Sequence, residues 1–197
     1  MNYQVELEKI INNLNGKKKL LLHSCCAPCS SYCITYLKDY FDITILYYNP
    51  NIEPIEEYNK RKNEQIKLCN LFNIKVMDCD YDNDIYHDVV KGLECEPEGG
   101  KRCFKCYELR LRKTAELAKN YDYFGTTLTI SPLKNSRKIN EIGLMLENEY
   151  NIKYLLSDFK KKEGYKKSIL LSKEYDLYRQ NFCGCIYSKP KNIERVS

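Results

Sequence analysis

Eleven of the 197 residues are cysteines, and three groups of them have spacings suited to chemistry. His23-Ser24-Cys25-Cys26-Ala27-Pro28-Cys29 sets three thiols within five positions, directly after an apolar run. Gly99-Gly100-Lys101-Arg102-Cys103-Phe104-Lys105-Cys106 adds a C-x2-C pair behind two glycines. Thiolates this close bind metals or exchange electrons. Together the two segments offer five thiols, and four suffice either for tetrahedral zinc or for a cubane iron-sulfur cluster. Spacing leaves both open. The plainer reading of any single cysteine is a small buried apolar side chain, but three in five positions at a strand-to-helix turn favour ligation. A third pair, Cys183-Gly184-Cys185, suits electron relay, because a disulfide across one residue is strained and easily reduced; a further metal-ligand pair is the alternative. Cys33, Cys69, Cys79 and Cys95 lack partners at useful spacing and are read as core or incidental.

The elements that must position these thiols alternate. Strand-like runs are predicted at Lys19–His23, Ile43–Tyr47, Ile74–Met77, Tyr123–Thr127 and Lys153–Leu156, with helices at about Ser30–Tyr40, Glu53–Phe72 and Phe104–Lys119 between them. In the second helix Ile55, Tyr58, Ile66 and Cys69 define the inward face; in the third, Tyr107, Leu111, Ala115 and Ala118 do. Such alternation implies an α/β fold with a parallel sheet flanked by helices. Ligands in open parallel sheets sit beyond the carboxyl ends of strands, where Cys25 and Cys26 fall. Pro28 suits the first turn of a helix, whose free amides and dipole favour thiolates at its start. Asp80–Arg102, rich in acid and glycine, reads as a loop excursion. Residues 157–197 are expected to form a helical C-terminal lobe within a single domain spanning 1–197.

Length allows a core that needs no disulfide staples. The chain begins MNYQVELEKIINN, without the basic start and apolar h-region of a secretory signal, and no apolar stretch is long enough to span a bilayer. A reducing cytoplasm is the expected compartment, with no membrane partner. Lys+Arg 32 against Asp+Glu 27 gives a formal charge of +5, too small to prove nucleic-acid binding but compatible with a basic face. That face is placed on Lys160, Lys161, Lys162, Lys166, Lys167 and Arg179, interleaved with Phe159, Tyr165, Tyr175 and Tyr178. Lysines neutralise phosphates and rings stack unpaired bases, as single-stranded RNA requires; plain solvated surface is the competing reading.

Taken together, HSCCAPCS, YYNPNIEPIEEYNKR, EGGKRCFKCYELRL, FGTTLTISPLKN and DFKKKEGYKKSILLSKEYDLYRQNFCGCIYS resemble the cobalamin-independent epoxyqueuosine reductases of the QueH type over about Lys19 to Ser188. The resemblance implies a Rossmann-like sheet akin to the adenine nucleotide alpha-hydrolases. It implies a 4Fe-4S cluster on Cys25, Cys26, Cys103 and Cys106, an adjacent mononuclear iron, and a redox-active pair at Cys183 and Cys185. Some family members carry Asp where this chain has Cys29, which makes Cys29 the candidate ligand of the second iron. The implied reaction reduces the epoxide of epoxyqueuosine, in tRNA, to an alkene with two electrons from an unidentified donor and two protons, releasing water. His23, Asp158 and Tyr165 are candidate proton donors through their place beside the motifs. HSCCAPC stands where nucleotide-using relatives carry a glycine-rich phosphate loop, so neither ATP nor cobalamin is expected. A zinc-stabilised RNA-binding module and a dithiol oxidoreductase working through Cys183 and Cys185 remain the alternatives.

Overall fold

The computed structural model describes residues 1–189. Five strands, β1 (Lys18–His23), β2 (Phe41–Tyr47), β3 (Lys75–Asp78), β4 (Tyr123–Thr126) and β5 (Lys153–Tyr154), pair in parallel in the order β3-β2-β1-β4-β5. Side chains alternate faces along a strand. In the central β1, Leu20 and Leu22 therefore enter one hydrophobic cluster and Leu21 the other. An uninterrupted apolar run is what a strand covered on both faces demands, and each fully buried leucine contributes about 1.5–3 kcal/mol.

On the Leu20 and Leu22 face lie α1 (Tyr3–Asn12), α2 (Ala27–Leu37), α3 (Ile55–Leu71) and α7 (Gly164–Glu174), through Leu7, Ile34, Leu37, Leu68 and Leu171. The Leu21 face is covered by α5 (Lys101–Leu117) and α6 (Ser136–Tyr150), through Tyr107, Leu111, Ala115, Ile139, Ile142 and Leu146. The inward face read from the sequence of α5 is the observed one. No described helix is long and apolar enough to cross a membrane.

Three findings depart from the sequence expectations. Helix α2 starts one turn earlier than Ser30, because Pro28 fits its first turn, and this brings all three cysteines of the motif to the helix entrance. In α3 the buried face is Tyr58, Arg61, Gln65, Leu68 and Cys69, whereas Ile55 and Ile66 are exposed; two polar side chains occupy it because they bond to segments described below. The Asp80–Arg102 excursion contains α4 (Asn83–Val90), whose Tyr86 and Val90 are buried four residues apart. Helices α1 and α6 add to the elements read from the sequence.

The C-terminal segment from residue 157 onward carries both helix and irregular chain. Over its described part it consists of α7, a 3-10 turn at Ile186–Ser188 and irregular chain; its end beyond Lys189 lies outside the described residues. Helix α7 packs directly against α2, and the small residues Gly164, Ser168 and Ser172 form its buried side. A Cβ at Gly164 would stand 1.8 Å from the Phe159 carbonyl oxygen and 2.6 Å from the Tyr32 ring, so glycine there permits the close approach.

Candidate metal centre and its cleft

The strand order reverses between β1 and β4, and the crevice at such a switch point is the ligand site of this sheet type. At the end of β1 the His23 ring ties the strand ends together. Its Nε2–H donates to the Tyr48 carbonyl (3.1 Å), and Nδ1 accepts from the Thr126 hydroxyl (3.0 Å). Burial, reinforced by the Arg110 charge, pulls its pKa down to about 3. His23 is thus a neutral strand-end brace with both nitrogens committed, and it does not line the cleft.

Beyond it the chain turns sharply into α2, with Cys26 as N-cap residue. Gln65 on α3 braces this turn: its Oε1 accepts from Ser24 Oγ (2.7 Å) and Ser30 Oγ (2.9 Å), while Asn49 Nδ2 donates to the Ser24 carbonyl (2.8 Å). The turn brings the sulfurs of Cys25, Cys26 and Cys29 within 4.8 Å of one another. Hydrogen bonds from the Cys26 and Cys29 thiols hold Cys25 well below the usual thiol range, and the bond to Cys25, with burial, pushes Cys26 up to about 12. One sulfur therefore carries the charge that its two neighbours stabilise. Gln180 Nε2 donates to Cys26 Sγ (2.9 Å) from the other wall.

Cys103 and Cys106 occupy the first turns of α5, whose entry is fixed by Arg102: buried, it donates to the carbonyls of Glu94 (2.8 Å) and Glu96. Cys103 Sγ accepts from the Gly99 amide (3.2 Å). Cys103 packs against the cluster that contains Cys25 and Cys26, and Cys106 shares a second cluster with Cys185, Tyr86 and Val90. Burial pushes Cys106 up to about 12. Cys103 and Cys106 stand outside the tight three-sulfur group.

The Cys183-Gly184-Cys185 loop is clamped by the N-terminal half of α3. Buried Arg61 donates to the carbonyls of Cys183 (2.9 Å) and Phe182 (3.3 Å) and pairs with Glu57 (2.6 Å), and the Glu53 amide donates to the Gly184 carbonyl (2.9 Å). Gly184 has φ +126°, and a Cβ there would lie 2.9 Å from Ile52. All eleven cysteines are free thiols. Cys25, Cys29 and Cys183 face one cleft of about 290 Å³, joined there by Lys134, Tyr165, Arg179, Gln180 and Glu98.

The family profile "Epoxyqueuosine reductase QueH" matches residues 20–191. The chain belongs to the QueH family. Proteins named epoxyqueuosine reductase QueH from Staphylococcus epidermidis and Streptococcus pyogenes are 44% and 43% identical to it, each over 97% of this chain and over 86% and 78% of their own length. The Thermotoga maritima QueH is 37% identical over 89% of this chain and 93% of its own. Among solved structures, the fold is similar to the U34-tRNA thiolase NcsA from Methanococcus maripaludis with its [4Fe-4S] cluster, at TM-score 0.58 and 13% identity, covering 95% of this chain and 67% of that one. It is also similar to a predicted subunit of tRNA methyltransferase from Methanocaldococcus jannaschii, at TM-score 0.54 and 18% identity over 79% and 76%. Both likenesses are of fold, a parallel sheet flanked by helices, which is the architecture expected from the sequence.

For a QueH protein, the remaining sequence-predicted residues are unevenly placed. Tyr165 is exposed and lines the cleft. Asp158 is buried outside it, 3.8 Å from Lys160 Nζ. Lys160 also donates to the Lys134 carbonyl (3.0 Å), Lys162 pairs with Glu8 and Lys166 with Glu163, whereas Lys161 and Lys167 are exposed. Phe159 is a core residue, and Tyr178 donates to Glu57 (3.2 Å), so these two rings serve packing, while Tyr165 lines the cleft together with Phe182.

Sequence reading missed Arg61, Gln65, Arg110, Lys134 and Gln180. Arg110 was discoverable: it lies one helical turn after Cys106 and two after Cys103, interrupting the apolar stripe of Tyr107 and Leu111. Its guanidinium is 1% exposed. Burial opposes its charge, yet the Cys106, Cys183 and Cys25 sulfurs hold it above the usual arginine range, and Cys183 and Cys25 do the same for Lys134 against its burial. Three clustered sulfurs beside two such cations form a donor set that fits a thiophilic, negatively charged metal group.

Proposed function

We propose that this protein reduces epoxyqueuosine to queuosine in tRNA and does so with an iron-sulfur centre at the switch point. The observation that carries the reading is the three-sulfur group of Cys25, Cys26 and Cys29 opening onto a cleft shared with Cys183, in a chain of the QueH family. Cys25, Cys26, Cys103 and Cys106 are the residues to hold a 4Fe-4S cluster, and Cys29 the one to hold an adjacent iron. When bound, such groups supply single electrons at low potential and Lewis acidity toward an oxygen.

The protein's own residues supply the rest. Gln65 and Gln180 fix the cysteine turn. Arg61 holds Cys183 at the cleft, where a dithiol formed with Cys185 relays electrons from an external low-potential donor. Arg179 and the exposed Lys161 and Lys167 attract the tRNA backbone, and Tyr165 offers a ring for stacking and a hydroxyl for proton delivery. With His23 locked and Asp158 turned away, Tyr165 is the best placed of the three proposed donors. No glycine lies between His23 and Cys29, so the entrance of α2 suits metal in preference to ATP; cobalamin plays no part.

The test is purification without oxygen, followed by iron and acid-labile sulfide analysis and turnover of epoxyqueuosine-containing tRNA with a chemical reductant. A brown protein whose visible absorption bleaches on reduction is expected. Stoichiometric zinc without sulfide points instead to an RNA-binding module. Full activity in Cys25→Ala and Cys103→Ala points to a dithiol oxidoreductase.

A further inference from the structure

The most unusual charge in the molecule is Arg110. It is 1% exposed, and among the described residues its guanidinium contacts are its own helix: Nε donates to the Cys106 carbonyl at 3.2 Å, and the Tyr107 ring lies 6.0 Å away. Its Nη2 is buried without a hydrogen-bond partner. No described carboxylate pairs with it; the ion pairs made by buried or half-buried arginines belong to Arg61 and Arg112. A buried, unpaired cation is strongly disfavoured. Buried Arg61 is met by a carboxylate and two carbonyls, and Arg102 by carbonyls at Nη1 with its Nε left unpartnered, so each has a terminal guanidinium nitrogen held by oxygen, which Arg110 Nη2 lacks. Arg110 lies one helical turn after Cys106 and bonds its carbonyl, and the charges that act on its guanidinium are those of the Cys106, Cys183 and Cys25 sulfurs.

We propose that Arg110 is the counter-charge of the metal centre, a positioning residue whose fixed positive charge compensates the thiolate-bound cluster and raises its reduction potential. This rests on the iron-sulfur reading given above. Adding an electron makes the centre more negative by one charge, and a cation fixed nearby in a poorly screened interior favours that state. At roughly 10 Å and an intermediate effective dielectric, one charge changes the reduced-to-oxidised ratio about tenfold or more. Its donors need no carboxylate because the arriving group brings the anion.

The experiment is a potentiometric titration, followed by electron paramagnetic resonance, of anaerobically reconstituted wild type, Arg110→Met, Arg110→Gln and Arg110→Lys. The neutral variants are expected to show an iron-sulfur signal whose reduced fraction at fixed poise falls about tenfold, a negative shift of ~59 mV for a one-electron couple. Arg110→Lys is expected near wild type. Neutral variants that load iron and titrate at the wild-type potential overturn the proposal. If the neutral variants fail to load, Arg110→Lys decides: loading by lysine ties assembly to charge and supports it, while equal failure assigns Arg110 to shape and overturns it. A wild type without iron or sulfide refutes the iron-sulfur reading itself, an outcome distinct from an unshifted potential.

Discussion

Gln65 shows how much of this site rests on single side chains remote in sequence from the cysteines. Replacing it with leucine keeps its volume but removes the shorter hydrogen bond of each of the buried Ser24 and Ser30 hydroxyls, leaving the longer contacts to the Cys26 (3.3 Å) and Ala27 (3.2 Å) carbonyls, at about 0.5–1.5 kcal/mol for each bond lost. Urea denaturation of Gln65→Leu is therefore expected to show a loss of ~1–3 kcal/mol, together with lower iron occupancy after reconstitution. Unchanged stability would mean that the Cys26 and Ala27 carbonyls suffice for the two serines. The cysteines themselves were legible in the sequence because their types and spacing carry the signal. Gln65 and Arg61 were not, because a polar residue on a helix face reads as solvent-facing until the partner that buries it is known. Ile55 and Ile66 misled for the mirror reason: apolar side chains at helical spacing read as core, whereas both are exposed.

Elements carry their own tests. In α6, Gly143 sits mid-helix, where alanine is ordinarily favoured by about 1 kcal/mol. A Cβ there would stand 2.3 Å from the Tyr154 ring, and overpacking costs about 1–3 kcal/mol. Contact wins over propensity, so Gly143→Ala is expected to lower the melting temperature; a rise would show that Tyr154 can swing aside. Gly184→Ala tests the clamp on the C-x-C loop. Its positive φ and the contacts with Ile52 and Arg61 displace the loop, and a fall in turnover larger than the fall in stability is expected from paired activity and denaturation measurements. The strands were readable because β1 and β2 are apolar and bounded by turn residues. Helix α4 was not: two turns of amphipathic pattern vanish inside an acidic, glycine-containing stretch.

At the scale of the whole molecule, the proposed tRNA contact rests on Arg179 at the cleft and on the exposed lysines Lys161 and Lys167. Lys160 and Lys162 are engaged with the protein body, so replacing Lys161 and Lys167 by alanine is expected to reduce tRNA affinity. It should also flatten its salt dependence by roughly 0.7 per lost phosphate contact. Fluorescence anisotropy across a salt series reads the slope, and an unchanged slope returns these residues to ordinary surface. The order β3-β2-β1-β4-β5 has a temporal consequence as well. Cys25, Cys26 and Cys29 leave the ribosome early, but the helix start that bears Cys103 and Cys106 and the loop that bears Cys183 are synthesised much later. At about 5–20 residues per second, roughly ten to thirty seconds separate the first thiols from the last. Throughout that interval three closely spaced sulfurs travel without their enclosure, so metallation has to await the finished polypeptide, and cellular reductant must guard the nascent thiols until then.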